Sequence, residues 1–328
     1  MRPSSVLLLA LSFVLGCGSA AVVPAALPSP IARSSAVPSP GGAPRARPLN
    51  AWRVRSAEGH ESTLLGTFHV GIDIGSALPP PHDARLISAR SVVLELAPGE
   101  VDPAVLVPLT VLPENQQLST LLGAELFAIL SARVSVPAEQ LERLRPWVAS
   151  SLVMVADLVP GIELGGADAP PMLDVQLGEL AVAHGIPVIG LETITEQAAL
   201  MDAIPLAAQV EYMRDALGAE PTGQGGGGEE VPSPADLREA YVRGDLDALE
   251  AIVFDPAQIA AAPAFFETML FERNAVWMQK LRPELEIGGL FCAVGIAHLI
   301  GERGLLASLR AAGYSVERLS TPRGLTAE

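Results

Sequence analysis

Two apolar runs, far apart in the chain, end in the same Gly-x-x-His signature. One reads Thr63-Leu64-Leu65-Gly66-Thr67-Phe68-His69, the other Leu290-Phe291-Cys292-Ala293-Val294-Gly295-Ile296-Ala297-His298. A short apolar run closed by glycine reads as a buried strand entering a turn, where glycine permits positive φ or close backbone approach. A histidine just beyond that point stands at the carboxyl end of its strand, the edge where open α/β sheets bind ligands. Two such histidines from opposite ends of the chain predict one shared site.

Two further apolar runs carry an acid at the same place, Val92-Val93-Leu94-Glu95 and Val188-Ile189-Gly190-Leu191-Glu192. Pro187 lies near the start of its run, where a strand tolerates it. Residues 52–55 and 62–67 predict a hairpin turning at Glu58-Gly59. Helical spacing is read over 84–91, 118–134, 138–144, 147–159 and 174–184, in a stretch ending at Leu217, and in two or three helices over 235–281. The closing unit reads strand 289–297, helix 302–312, strand 315–319. The pattern predicts a helix-rich α/β (α+β) single domain whose central sheet, mainly parallel or mixed, is covered by helices.

With 49% hydrophobic residues the chain can bury a sizeable core, and a formal charge of −16 argues against nucleic acid as a partner. Residues 1–16 have the positive start (Arg2) and apolar run (6–15) of an export signal. Val14-Leu15-Gly16-Cys17 is similar to a bacterial lipobox, which predicts lipidation of Cys17 and attachment to the membrane through a lipid anchor. The alternative is ordinary cleavage near Gly18-Ser19-Ala20. Residues 17–49, rich in Ala, Pro and Ser, read as an extended tether. The folded domain is expected over 50–320, with a Gly-rich insertion at 221–234 and a tail at 321–328. Cys292 has no partner once Cys17 is lipidated, and is expected to pack as a small buried hydrophobe.

If the strands are parallel neighbours, His69, Glu95, Glu192 and His298 meet in one crevice. Two imidazoles and two carboxylates suit a divalent transition metal such as Mn, Co or Zn, with a position left for water. They equally suit a metal-free pair of acids with a histidine base. By contrast, Glu100, Glu114 and Glu229-Glu230 read as solvated. Neither Gly-x-Ser-x-Gly nor His-Glu-x-x-His occurs, so serine hydrolases and ordinary zincins are excluded as models.

The ordered segments resemble the TraB/GumN family, related to the Tiki metalloproteases. They are residues 64–71, Val93-Leu94-Glu95, Arg145-Pro146-Trp147, Leu173-Asp174, residues 187–193 with Gln197, residues 241–246, Glu272-Arg273-Asn274-Ala275-Val276-Trp277 and residues 294–299. The resemblance spans most of residues 51–319. It implies that Gly66 and Gly295 build the paired motifs, and that His69, His298, Glu95 and Glu192 hold a metal. Glu95 and Glu192 would also move protons, and Arg273 and Asn274 would face the substrate. Arg273 would clamp a substrate carboxylate or stabilise an oxyanion; otherwise it is a structural ion pair, with Asp174 as a candidate partner. The Tiki branch implies metal-dependent proteolysis. The expected activity is hydrolysis of a peptide or other amide or ester in the cell envelope, at the outer membrane by the lipobox resemblance, facing the periplasm or the cell surface. A non-catalytic envelope protein that sequesters a peptide or small signal molecule is the alternative.

Overall fold

The expected hairpin opens the fold. In the computed structural model, which describes residues 46–68, 71–98, 103–158, 172–218 and 232–321, β1 (Pro48–Arg55) turns back into β2 (Glu61–Thr67). Gly59, at φ 90°, makes the turn, and Ser56 and His60 close it by a backbone hydrogen bond of 2.9 Å. β1 begins at Pro48, inside the stretch read as tether. The other strands are β3 (Ser91–Leu94), β4 (Val188–Gly190), β5 (Leu290–Gly295) and β6 (Ser315–Ser320).

Among the described residues these form one sheet in the order β4-β3-β5-β2-β1-β6. Strands β4, β3, β5 and β2 run parallel, whereas β1 is antiparallel to both β2 and β6. The expected helix-rich, mixed α/β sheet is therefore what the chain forms. β5 lies at its centre with all six residues buried, as a parallel strand covered on both faces requires. Phe291, Trp52, Leu64, Leu65 and Val92 pack there with Trp277 and Leu281 from a long covering helix, Glu272–Ile287.

Element ends differ from the sequence reading where local geometry intervenes. The helix read over 84–91 stops at Ile87, and Ser91 already pairs with Leu290 of β5. The helix read over 118–134 breaks at Gly123, whose φ of 83° no helical residue adopts, leaving Leu118–Leu122 and Ala124–Arg133. The two or three helices read over 235–281 are five, Pro234–Arg243, Leu246–Val253, Pro256–Ala261, Pro263–Phe266 and Glu272–Ile287, with a π-helical turn, Glu267–Phe271, before the last. That last helix continues through Pro283. The Gly-rich insertion lies almost wholly outside the described residues.

Between β3 and β4, and again after β4, the chain leaves the sheet to build helices with apolar clusters of their own. Leu106, Trp147, Met154, Ile194, Met201 and Met269 form one, and Leu118, Leu130, Leu141, Val153 and Met213 belong to another. This helical mass grows from the carboxyl ends of the strands, where the predicted polar groups emerge.

Candidate functional site

The backbone ladder of β3 and β4 runs one step past the strands. Leu191 N–H donates to the Leu94 carbonyl and Glu192 N–H to the Glu95 carbonyl, both at 2.9 Å, so the two acids are held side by side. Glu192 immediately precedes a helix, Ile194–Ala203, whose start is fixed by a capping box. Thr193 Oγ1 accepts from Glu196 N–H, and the Glu196 carboxylate accepts from Thr193 N–H. β5 runs directly into a single helical turn, Ile296–Leu299, that carries His298. Glu95, Glu192 and His298 are buried, although two are acids.

What brings them together is Arg273, buried in the first turn of Glu272–Ile287, just after the π-helical turn Glu267–Phe271. Such turns often mark functional positions. Arg273 Nη2 donates to Glu95 Oε2 and to Glu192 Oε2, each at 2.9 Å, and Nε donates to Glu192 Oε1 at 2.9 Å. Nη1 donates to the Met269 carbonyl at 3.1 Å and lies 3.2 Å from His298 Nε2. The guanidinium carbon sits 4.6 Å from the centroid of Trp277, and that indole donates to Glu192 Oε1 at 2.8 Å. Burial alone would lower the arginine's pKa, but the charges and hydrogen bonds of Glu95 and Glu192 outweigh it and hold the pKa above its ordinary value.

The imidazole's tautomer follows from its partners. Asn274 uses its Nδ2 on the carbonyls of His298 and Arg303, at 3.3 and 3.1 Å, so its Oδ1 is turned to His298 Nδ1 at 2.8 Å and accepts from it. Nε2 is then the lone-pair nitrogen and accepts from Arg273. Trp277 also covers the imidazole, with ring centroids 4.3 Å apart.

The expected partner of Arg273, Asp174, is not its partner. Asp174 instead accepts from Thr67 Oγ1 at 2.9 Å, while Tyr241 donates to the Gly66 carbonyl at 2.7 Å, so both brace the end of β2. His69 lies outside the described residues. The chain before it is described to Phe68, and Thr67, the last residue of β2, stands opposite Gly295 in the parallel pair β2–β5. The two Gly-x-x-His motifs therefore begin on neighbouring strands at one edge, and they interlock. A Cβ on Gly66 would lie 2.3 Å from Ile296 Cδ1, so glycine there makes room for the second motif. Gly295 N–H donates to Glu95 Oε1 at 2.8 Å, giving the second glycine a direct hold on an acid of the site.

Sequence reasoning gave no role to Trp277 or Gln197. Trp277 follows Arg273 by four residues on one helix face, a spacing that could have revealed it. Gln197 Nε2 reaches Glu95 Oε2 at 3.5 Å, and among the described residues its buried Oε1 has no hydrogen-bond partner.

A model of the TraB/PrgY/gumN family matches residues 50–318, from within β1 to within β6. The chain belongs to that family. No curated protein and no solved structure was found to match it. For this TraB/PrgY/gumN chain, the divalent ion implied by the Tiki relationship can be tested against the donors themselves. All four carboxylate oxygens of Glu95 and Glu192 accept from N–H groups, and His298 Nε2 accepts from Arg273. Among the described residues no group of three or more His, Cys, Asp or Glu is disposed to hold a metal ion. The described donors do not fit an ion shared by the two glutamates, because a guanidinium already stands between them.

Proposed function

We infer that the protein is a hydrolase of an amide or ester bond, with peptides as the leading substrate class, and that it acts in the bacterial cell envelope. The observation that carries this reading is the convergence of three strand-end groups on one buried guanidinium, at the sheet edge where α/β folds bind ligands. His298 is the base: a water takes the place of Arg273 Nη1 at Nε2 and gives up its proton there, while Asn274 holds Nδ1–H and so keeps the imidazole oriented. Once Nε2 is protonated, the Arg273 Nη1–H that had pointed at it is released to stabilise the oxyanion formed as the water adds to the carbonyl, and the imidazolium returns its proton to the leaving amine or alkoxide as the intermediate collapses. Glu95 and Glu192 keep that guanidinium charged and in place, so their part is positioning. Among the described residues the Oε1 of Gln197 has no hydrogen-bond partner, which leaves it as an acceptor for a substrate N–H. The divalent ion of the family resemblance does not enter this reading, because Arg273 engages Glu95, Glu192 and His298, the three expected ligands among the described residues.

The envelope location rests on the sequence of residues 1–17. Among the described residues no helix is long and apolar enough to cross a membrane. Replacing Cys17 with Ser should release the protein from the membrane fraction or block its processing; unchanged fractionation, with an amino terminus beyond Cys17, would refute the anchor.

The activity is tested with the full chain on a library of peptides and simple esters. His298→Ala should abolish turnover. Arg273→Lys, which keeps charge but loses the fork, should lower kcat by about 10²-fold, the usual loss for an oxyanion donor. A chelator should leave turnover unchanged. Binding of a peptide that is never cleaved, lost in the same two variants, would favour the sequestering protein instead. That second reading draws support from how completely the two carboxylates are already engaged.

A further inference from the structure

We propose that Arg273 is a built-in cation at the position a bridging divalent ion would take between Glu95 and Glu192, and that this pair binds metal only when the guanidinium is removed. One nitrogen, Nη2, is 2.9 Å from an Oε2 of each glutamate, so the two carboxylates converge on a single positive centre as they would on a metal. The remaining oxygens are taken from the flanks, by Gly295 N–H on Glu95 and by Trp277 Nε1–H and Arg273 Nε–H on Glu192. The guanidinium is itself held from other directions by the Met269 carbonyl, by His298 Nε2 and by the face of Trp277. It is part of the packed helix and not a mobile side chain resting over a vacant site. A divalent ion needs carboxylate oxygens at about 2.0–2.2 Å, and it reaches these only by displacing a buried, fully partnered charge.

Removing the guanidinium leaves two adjacent buried carboxylates with the imidazole nitrogen beside them. That set suits Mn or Co by its mixture of oxygen and nitrogen donors. The inference is independent of hydrolysis, since it concerns only what occupies the space between the acids, and its readout is metal affinity alone.

The test is Mn²⁺ binding to the full-length, chelator-stripped protein, followed by electron paramagnetic resonance of the free ion. In the protein with Arg273 in place, Glu95→Gln and Glu192→Gln should each leave Mn²⁺ affinity within about threefold of its starting value, or there should be no site to weaken. Arg273→Met should gain a site that binds about tenfold tighter or more, and Glu192→Gln in that background should remove the gain. A native Mn²⁺ site weakened more than about threefold by either glutamine would overturn the proposal. So would a folded Arg273→Met variant with no gain. If Arg273→Met does not fold, the glutamine variants in the Arg273 background decide the matter by themselves.

Discussion

Cys292 lies at the middle of β5, with Leu64 opposite it on β2 and Val93 on β3. Burial, and after it the charge of Glu95, pushes its thiol up to about 12. At pH 8 the thiolate fraction is then ~10⁻⁴, and the sulfur is sealed from solvent as well. A thiol reagent should leave Cys292 untouched in the folded protein and titrate it in denaturant; rapid labelling of the native protein would contradict the burial. Trp277 makes a stronger claim on stability, because its indole N–H is bonded to a buried carboxylate. Trp277→Phe keeps most of the ring but strips one donor from Glu192, and should cost about 1.5–3 kcal/mol in urea unfolding. At this scale the acids and His298 were legible because each is a polar tip on an apolar run. The partner of Arg273 was not, because several acids in the sequence were equally eligible. Only the order of the strands selects Glu95 and Glu192 over Asp174, which turns to Thr67.

The helix Ile194–Ala203 shows how an element fixes the site. Its capping box begins at Thr193, the residue after Glu192, so the same few atoms start the helix and set the backbone of the acid. Thr193→Ala should cost about 1 kcal/mol, the usual value for a lost N-cap, and should also loosen Glu192 against Arg273. The Glu196 carboxylate is held below its ordinary pKa chiefly by the Thr193 backbone N–H. Because the folded value is depressed, the stabilisation is present above the unfolded carboxylate range and is lost as pH falls through the folded value. Melting temperatures followed from neutral pH down through the carboxylate range should fall less steeply for Glu196→Gln than for the native protein. Equal slopes would mean that the cap does not depend on that charge. Thr193 and Glu196 are a capping signature that the sequence displays openly. The break at Gly123 and the π-helical turn at Glu267–Phe271 are different. The first depends on a backbone angle that glycine permits and does not require, and the second on an extra residue accommodated between packed neighbours.

For the molecule as a whole, the strands could be read one by one, but their order could not. β5, near the end of the chain, inserts between β2 and β3, and β6 crosses to the far side of β1. Apolar runs of similar length pair equally well in many orders, and register depends on side chains packed from other elements. The outcome is that the last strand closes the first. β6 pairs with β1 from Arg55↔Ser315 through Trp52↔Arg318, and Arg318 reaches across to donate to the Leu49 carbonyl at 2.7 Å, Asn50 Oδ1 at 3.1 Å and the Gly244 carbonyl at 2.8 Å. Burial lowers the pKa of that guanidinium, against the pull of Asp245 and Asp247, so it is held by its hydrogen bonds more than by exposure to water. β6 itself is half open to solvent, with an alternating pattern in which only Leu319 is buried. Its contribution lies in covering the N–H and C=O groups of β1, beside the buried Leu49 and Trp52. Deleting residues 315–328 uncovers that edge, and an unpaired hydrophobic edge invites pairing with a second chain. The truncated protein should elute as aggregates or higher oligomers and unfold at lower urea than the full chain. A monomeric 1–314 chain with native unfolding would mean that the sheet is complete at β1, and that the match of first strand to last contributes nothing to holding the site's edge together.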